Sequence, residues 1–211
     1  MDALFWHKRW QDNQIGFHES SVNPLLVEHF RKMGLGNHSR ILVPLCGKSH
    51  DLTWLVSQGL TVVGVELSKV AVESYFSEYG LDAVISSSGT LLSYKVAGLE
   101  ILVGDIFQVT KAMLGTIDGI YDRAALVALP DAMRRNYTQQ LMDITASARQ
   151  LLISYEYDQS LMEGPPFSIS DDEIKRHYGN SYEILLQQNQ RPVGKFTGQA
   201  VNEKVWLLKT K

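Results

Sequence analysis

The amino-acid sequence predicts an α/β protein, with a mostly parallel sheet covered by helices on both faces. Three observations carry that prediction. Short apolar strands alternate with helical patterns along the chain, the stretch from Arg40 to Ser68 reads as a complete βαβ unit, and a late pair of strands suits an antiparallel edge. In the βαβ unit, Ile41 to Pro44 is the first strand. The helix after Ser49 carries Leu52, Leu55 and Val56 at helical spacing and stops at Gly59; the second strand, Thr61 to Val65, runs straight into Glu66.

The other elements follow in order. Residues 2 to 12 form a short helix capped by Asp2, gathering Phe5, Trp6 and Trp10 and turning Lys8 and Arg9 outward. Asn23 and Pro24 read as cap and first residue of a second helix running to about Met33. Neither helix belongs to the βα repeat, so both are expected to pack over an edge or mouth of the sheet. Lys69 to Tyr79 is a helix expected to pack through Val70, Tyr75 and Phe76. Thr90 to Val96 and Glu100 to Val103 flank Ala97 and Gly98 as a hairpin and lead into Gly104, Asp105 and Ile106. Gly119 to Tyr121 runs into Asp122 and Arg123; a helix follows Pro130 to about Thr145, and Leu151 to Tyr157 is the next strand. The loop Glu163 to Phe167 is too proline-rich to be regular, and Ser170 with Glu173 makes a capping box. Tyr182 to Leu186 and Lys204 to Leu208 supply the late strands. With no repeat, linker or low-complexity segment, residues 1–211 are expected to form one domain.

Composition narrows the class of function. A chain of 211 residues with 45% apolar and 20% charged content fits a globular protein with one sizeable core. A net charge of -3 gives no basic footprint for nucleic acid. No apolar run has membrane-spanning length and the N-terminus does not read as a secretory signal, so a cytoplasmic protein is expected. The one cysteine, Cys46, excludes an internal disulfide, and the six histidines lack metal-ligand spacing. Small-molecule chemistry becomes the leading class.

The loops after the strands carry the chemistry. Cys46 to Ser49 reads CGKS, half of a triphosphate-binding loop, but position 42 is Leu where that loop needs glycine. Pro44 and Leu45 likewise occupy the early glycine positions of the dinucleotide fingerprint. What remains is a loop with one small residue, Gly47, beside a ligand that need not carry phosphate; S-adenosylmethionine (AdoMet) fits, and so does an ordinary turn. Glu66, about 20 residues past the loop glycine, stands where doubly wound folds place the acid that holds a ribose diol. Asp105 could receive an adenine amino group while Ile106 covers the ring, or Asp105 could simply hold a turn. Arg123, near the expected switch point of the sheet, could face an anionic acceptor or pair with a neighbouring acid such as Asp122. Trp10 and Phe17 could wall a pocket or dock the N-terminal helix. An NAD-dependent oxidoreductase and a non-catalytic AdoMet-binding protein stay open as alternatives.

Taken together, FWHKRWQDNQIGFH, VPLCGKSHDLTWL, GVELS, GDIF, YDRAALVALP and YEYDQSLMEGPPF resemble the thiopurine S-methyltransferase family, particularly its bacterial members, from Phe5 through Phe167. The resemblance implies a class I AdoMet-dependent methyltransferase, Rossmann-like, with a mostly parallel seven-stranded sheet, an antiparallel edge strand and an N-terminal helical cover (residues 1–35) over a core (residues 36–211). It implies a monomer that methylates sulfur in aromatic or heterocyclic thiols, with selenium or tellurium compounds as further acceptors. It places Trp10, Leu45, Glu66, Asp105, Ile106 and Arg123 at AdoMet and Phe17 at the acceptor. Methyl transfer from a sulfonium to a thiolate destroys charge, so alignment and a dry pocket matter more than a strong base. Arg123 is expected to favour the thiolate, Phe17, Trp10 and Phe167 to close an apolar lid, and Cys46 to be a buried structural thiol. Arg191 and Lys195 are the candidates for a C-terminal reach into the pocket.

Overall fold

A computed structural model describes residues 3–192, 196 and 200–211. The first helix, α1 (Ala3–Gln11), precedes α2 (Pro24–His29), whose amides at Leu25 and Leu26 are capped by Asn23 Oδ1. The expected continuation to Met33 tightens into a 3-10 turn over Phe30–Met33 and ends at the left-handed Gly34. Asp2, the expected cap of α1, lies outside the described residues.

The core is the run β1 (Arg40–Pro44), α3 (His50–Ser57), β2 (Thr61–Glu66), α4 (Lys69–Glu78), β3 (Val84–Ser88), β4 (Leu91–Val96), β5 (Leu99–Val103), α5 (Lys111–Leu114), β6 (Gly119–Arg123), α6 (Asp131–Thr145), β7 (Arg149–Glu156), α7 (Asp171–Tyr178), β8 (Tyr182–Gln190) and β9 (Asn202–Thr210). The strands form one sheet in the order β3-β4-β5-β2-β1-β6-β7-β9-β8. The five central strands, β5 to β7 in that order, run parallel. An antiparallel pair borders each side. Among the described residues nine strands stand where the element-by-element reading named eight and the resemblance implied seven, and there are two antiparallel edges instead of one. The unforeseen strand is β3, whose Val-Ile-Ser-Ser-Ser is too polar for the alternation that marks a half-buried strand and pairs only with β4.

Period-two alternation loads both faces of the parallel strands. Ile41, Val43 and Val62 join Leu52, Leu55, Val72 and Tyr75 on the side of α3 and α4. Leu42, Val63, Val65 and Ile120 join Tyr137, Leu141 and Ile174 on the side of α6 and α7. Helix α4 buries Ala71, Val72, Tyr75 and Phe76, while Val70, expected in the core, points to solvent at 42% exposure. One helical step separates Val70 from that stripe. The chain leaves β1 for β2 and β5 on one side and returns to place β6 on the other, so β1 and β6 part at their carboxyl ends. There the sheet has its switch point.

Candidate active site

A cavity of about 460 Å³ opens at the carboxyl ends of β1, β2, β5 and β6 and runs under the N-terminal segment. Its volume suits a nucleoside-sized ligand.

The loop after β1 forms its floor. Leu45 takes φ 49 and Gly47 φ 53, both left-handed, so the backbone turns sharply between strand and helix. Leu45 packs against the core on the α6 side, and a side-chain carbon at Gly47 would stand 3.0 Å from the indole of Trp10. Glycine at 47 is what lets α1 sit on this loop. The Lys and Ser of the GKS run have structural partners: Lys48 pairs with Glu78 at 2.5 Å, and Ser49 Oγ caps α3 by accepting from Asp51 N. Cys46 is buried, and burial with the nearby Glu66 charge pushes its thiol well up. Its sulfur would be 2.8 Å from a side-chain carbon at Gly64, so the thiol fills space that only a glycine on β2 leaves.

Glu66 ends β2 inside the cavity, 6% exposed. Its Oε2 accepts from Gly47 N and its Oε1 from Ser68 N, both at 2.8 Å. Burial raises its pKa, and those amides oppose the rise. Each oxygen keeps a second lone pair, so a carboxylate held flat by the backbone can still accept from a diol. Asp105 and Ile106, after β5, line the same cavity; Asp105 Oδ1 caps a 3-10 turn by accepting from Phe107 N, and Ile106 is buried beneath it. Asp105 therefore holds the turn, as one of its two readings expects, from a place in the cavity lining.

The other end belongs to β6 and the cover. Tyr121 and Arg123 point to one side of β6 and Asp122 to the other, where Asp122 accepts from Leu126 N and Tyr137 Oη. Arg123 is not paired with Asp122, as its neighbourhood in sequence suggested. It pairs with Glu19 from the loop between α1 and α2. Tyr121 Oη donates to Asp51, which also accepts from the backbone N–H of Asn23, the cap of α2. The cover is therefore tied to β6 and α3 through buried polar groups. Trp6 and Trp10 both meet the Phe17 ring edge-on, with centroids 5.7 and 5.4 Å away. Ala124, at φ 60, turns the chain out of β6.

Among the expected site residues, Trp10, Phe17, Leu45, Glu66, Asp105, Ile106 and Arg123 all line this cavity. Phe167 does not: its backbone N–H is bound to Val127 O and its ring packs over Gly164, while Pro165 and Pro166 face the cavity in its place. Arg191 is exposed at the end of β8 and absent from the lining, and Lys195 lies outside the described residues. Tyr155 of β7 and Phe196, stacked edge-on at 5.2 Å, add an aromatic wall that the sequence reading missed. His18, Glu19, Asp51 and Tyr121 were missed as well. Only the neighbourhood of Phe17 signalled His18 and Glu19, and nothing local signalled Phe196. Among the described residues no cluster of three or more His, Cys, Asp or Glu could hold a metal ion, and no helix is long and apolar enough to cross a membrane.

Comparison with known proteins identifies the family and the fold. The family model described as Thiopurine S-methyltransferase matches residues 1–211. The chain is 45% identical to the thiopurine S-methyltransferase of Teredinibacter turnerae, covering 99% of this chain and 97% of the relative. It is 43% identical to that of Acinetobacter baylyi, covering both chains completely. Among solved structures, the 1,6-didemethyltoxoflavin-N1-methyltransferase of Burkholderia thailandensis, which holds S-adenosylhomocysteine, superposes with a TM-score of 0.68 at 14% identity over 99% of this chain and 87% of that one. A SAM-dependent methyltransferase of Anabaena variabilis superposes at 0.63 and 15% identity over 99% and 95%. These last two share the fold, the class I AdoMet-dependent methyltransferase fold. The chain belongs to the thiopurine S-methyltransferase family.

Proposed function

We propose that this chain transfers the methyl group of AdoMet to the sulfur of an aromatic or heterocyclic thiol such as a thiopurine. The observation that carries the reading is one continuous cavity with a backbone-held carboxylate, Glu66, at one end and an arginine, Arg123, at the other, roofed by Trp6, Trp10 and Phe17. The residues fit the cofactor: a carboxylate for the ribose diol, the apolar Leu45 and Ile106 for flat surfaces, and a glycine loop that admits close approach.

When bound, AdoMet supplies a methyl group carried on a sulfonium. Glu66 holds the ribose, Asp105 and Ile106 border the adenine, and Leu45 and Trp10 pack beside it. Phe17 lies on the acceptor ring. The Arg123 guanidinium favours an acceptor in its thiolate form by Coulombic attraction in a site of low dielectric. The roof keeps water from the sulfur and holds the reacting groups in line, which is most of what this reaction asks of a protein.

The family relatives named for thiopurine S-methylation support this acceptor class. In the same reading the chain is one methyltransferase domain, with residues 1–35 as cover, acting as a cytoplasmic monomer on small molecules and not on nucleic acid; its net charge of -3 supports the last point. Selenium and tellurium species belong to the proposed acceptors, since they present the same soft nucleophile. Mass analysis after incubation with AdoMet and a thiopurine is expected to show a gain of one methyl on the acceptor. Separate incubations with selenite and tellurite test the metalloids. Calorimetric binding of AdoMet without methylation of any thiol would leave only a cofactor-binding protein and overturn the reading.

A further inference from the structure

Resting on the thiol acceptor proposed above, we infer that His18 is the general base of the reaction, taking the acceptor's proton on a ring nitrogen. The acceptor S–H bond breaks, an N–H bond forms on the imidazole, and the electron pair stays on sulfur, leaving a thiolate that faces Arg123.

The placement of the six histidines singles this one out. His29 is bonded to Gln188, His50 Nδ1 meets Tyr79 Oη at 2.5 Å, and His177 Nε2 meets Glu173 at 3.2 Å. His7 and His38 are not in the cavity lining. His18 lines the cavity, and among the described residues neither of its ring nitrogens carries a hydrogen bond; its ring contact is with His50, at 5.4 Å between centroids. Its chain neighbours are Phe17, on the acceptor, and Glu19, on Arg123. Three consecutive side chains thus supply a wall, a base and a tether for the arginine.

His18 also lines a second cavity of about 420 Å³, together with Glu19 and Glu203. The imidazole therefore borders both cavities, and after transfer its proton can leave to solvent through the second one. The charged and titratable groups facing it are Lys48, which is paired with Glu78, then His50, and Arg123, which is paired with Glu19. Burial first, then Lys48, His50 and Arg123 lower its pKa, against the opposing Glu78, which favours the neutral ring that a base requires.

The test compares His18→Gln with the unaltered protein on two acceptors, 4-nitrothiophenol, largely ionised at pH 7, and benzyl mercaptan, protonated there. Loss of the base is expected to lower kcat/KM for benzyl mercaptan by on the order of 10²-fold and for 4-nitrothiophenol by no more than about threefold. In the unaltered protein the benzyl mercaptan profile levels off above the His18 titration; in the variant it climbs about tenfold per pH unit toward the thiol's own pKa. A readout without turnover uses the complex with S-adenosylhomocysteine. There, bound benzyl mercaptan is expected to shift the ring-nitrogen resonances of His18 at pH 7, as the imidazole accepts from the thiol, and unmoved resonances would overturn the assignment. His18→Ala rescued by added imidazole, for benzyl mercaptan alone, gives the same answer in a second background. Equal losses on both thiols, or no loss on either, overturn the assignment. Failure of the unaltered protein to methylate either thiol would instead overturn the acceptor reading on which it rests.

Discussion

Two arginine–glutamate pairs, one buried and one partly buried, sit at opposite sides of the sheet, and their surroundings separate a closed pair from one that faces a cavity. At the junction of α6 and α7, Arg134 binds Glu173 through Nε at 2.5 Å and Nη2 at 3.2 Å, and also reaches Leu129 O and Asp131. Both side chains are 7% exposed and His177 adds a further donor to Glu173. At the junction of the cover and β6, Arg123 has one carboxylate partner, Glu19, and lies in the wall of a cavity large enough for a ligand. The first arginine has its donors spent inside the protein. The second keeps most of its five donors for something else. Saturation, more than burial or charge, separates the pair that is closed within the fold from the pair that faces a cavity.

The contrast can be broken in several ways. Arg134→Ala leaves Glu173 buried without its cation and is expected to cost about 4 kcal/mol, lowering the melting temperature by about 10 °C in calorimetry. A melting point unchanged within a degree or two would mean that the saturated pair is ornamental. Asp122, buried with no cation, offers a control of opposite sign. Burial lifts its pKa to about 6, against the hydrogen bonds from Leu126 and Tyr137. A carboxyl whose folded pKa lies above its unfolded 3.8 contributes stability that is full below 3.8 and lost as pH rises through 6, about 3 kcal/mol across that window. Asp122→Asn should remove that slope from urea unfolding measured at pH 4 and pH 7. Glu173 behaves the other way: burial works against ionisation, but His177 and Arg134 more than compensate, so its pKa is lowered. Its contribution is present above the unfolded 4.5 and disappears as pH falls through the lower folded value.

Arg123→Ala is the counterpart at the cavity. It should change unfolding free energy by less than about 1 kcal/mol, because Glu19 also lines the second cavity and can be solvated there. It should lower kcat/KM for a thiol by about 50-fold, roughly 2.3 kcal/mol. A variant that lost stability and kept turnover would erase the distinction between the pairs. The smallest effect is expected at Gly47→Ala, where a left-handed φ and the Trp10 ring 3.0 Å away oppose a side chain. About 1 kcal/mol of stability and a fewfold weaker AdoMet affinity by calorimetry are expected.

Legibility in the sequence followed the range of the interaction. The unit β1-α3-β2 with Glu66 at its tip was readable because periodicity, a cap and a glycine stop are all local signals. Strand β3 was not, since its pairing with β4 is decided across a turn and its serines hide the alternation. The helix through Phe30 tightened under tertiary packing that propensity does not record, and Val70 missed the buried stripe by one position. In the site, Asp105, Ile106 and Arg123 were found because strand ends are where open α/β sheets bind ligands, and Leu45 came from the family resemblance. Glu19 and Phe196 were not, because loops bring them in, and Tyr155 was not, although its strand was read, because nothing local tells which of its side chains meet the cavity. Phe167 was expected at the cavity with its two prolines, but a backbone bond to Val127 keeps it behind them.

Leu45 and Ala124 end the two strands that part at the switch point, and both hold left-handed backbone without being glycine. Such a residue stores on the order of 1 kcal/mol of strain that glycine would relieve. For an engineer, these are positions where heat resistance and turnover pull apart. Glycine at 124 relaxes the backbone at a site that carries little side chain, and glycine at 45 does so only by removing a wall of the cavity. Because Leu45 also packs against the core, glycine there loses apolar contact along with the strain, and a library screened for thermal survival would favour the change at 124 over the change at 45.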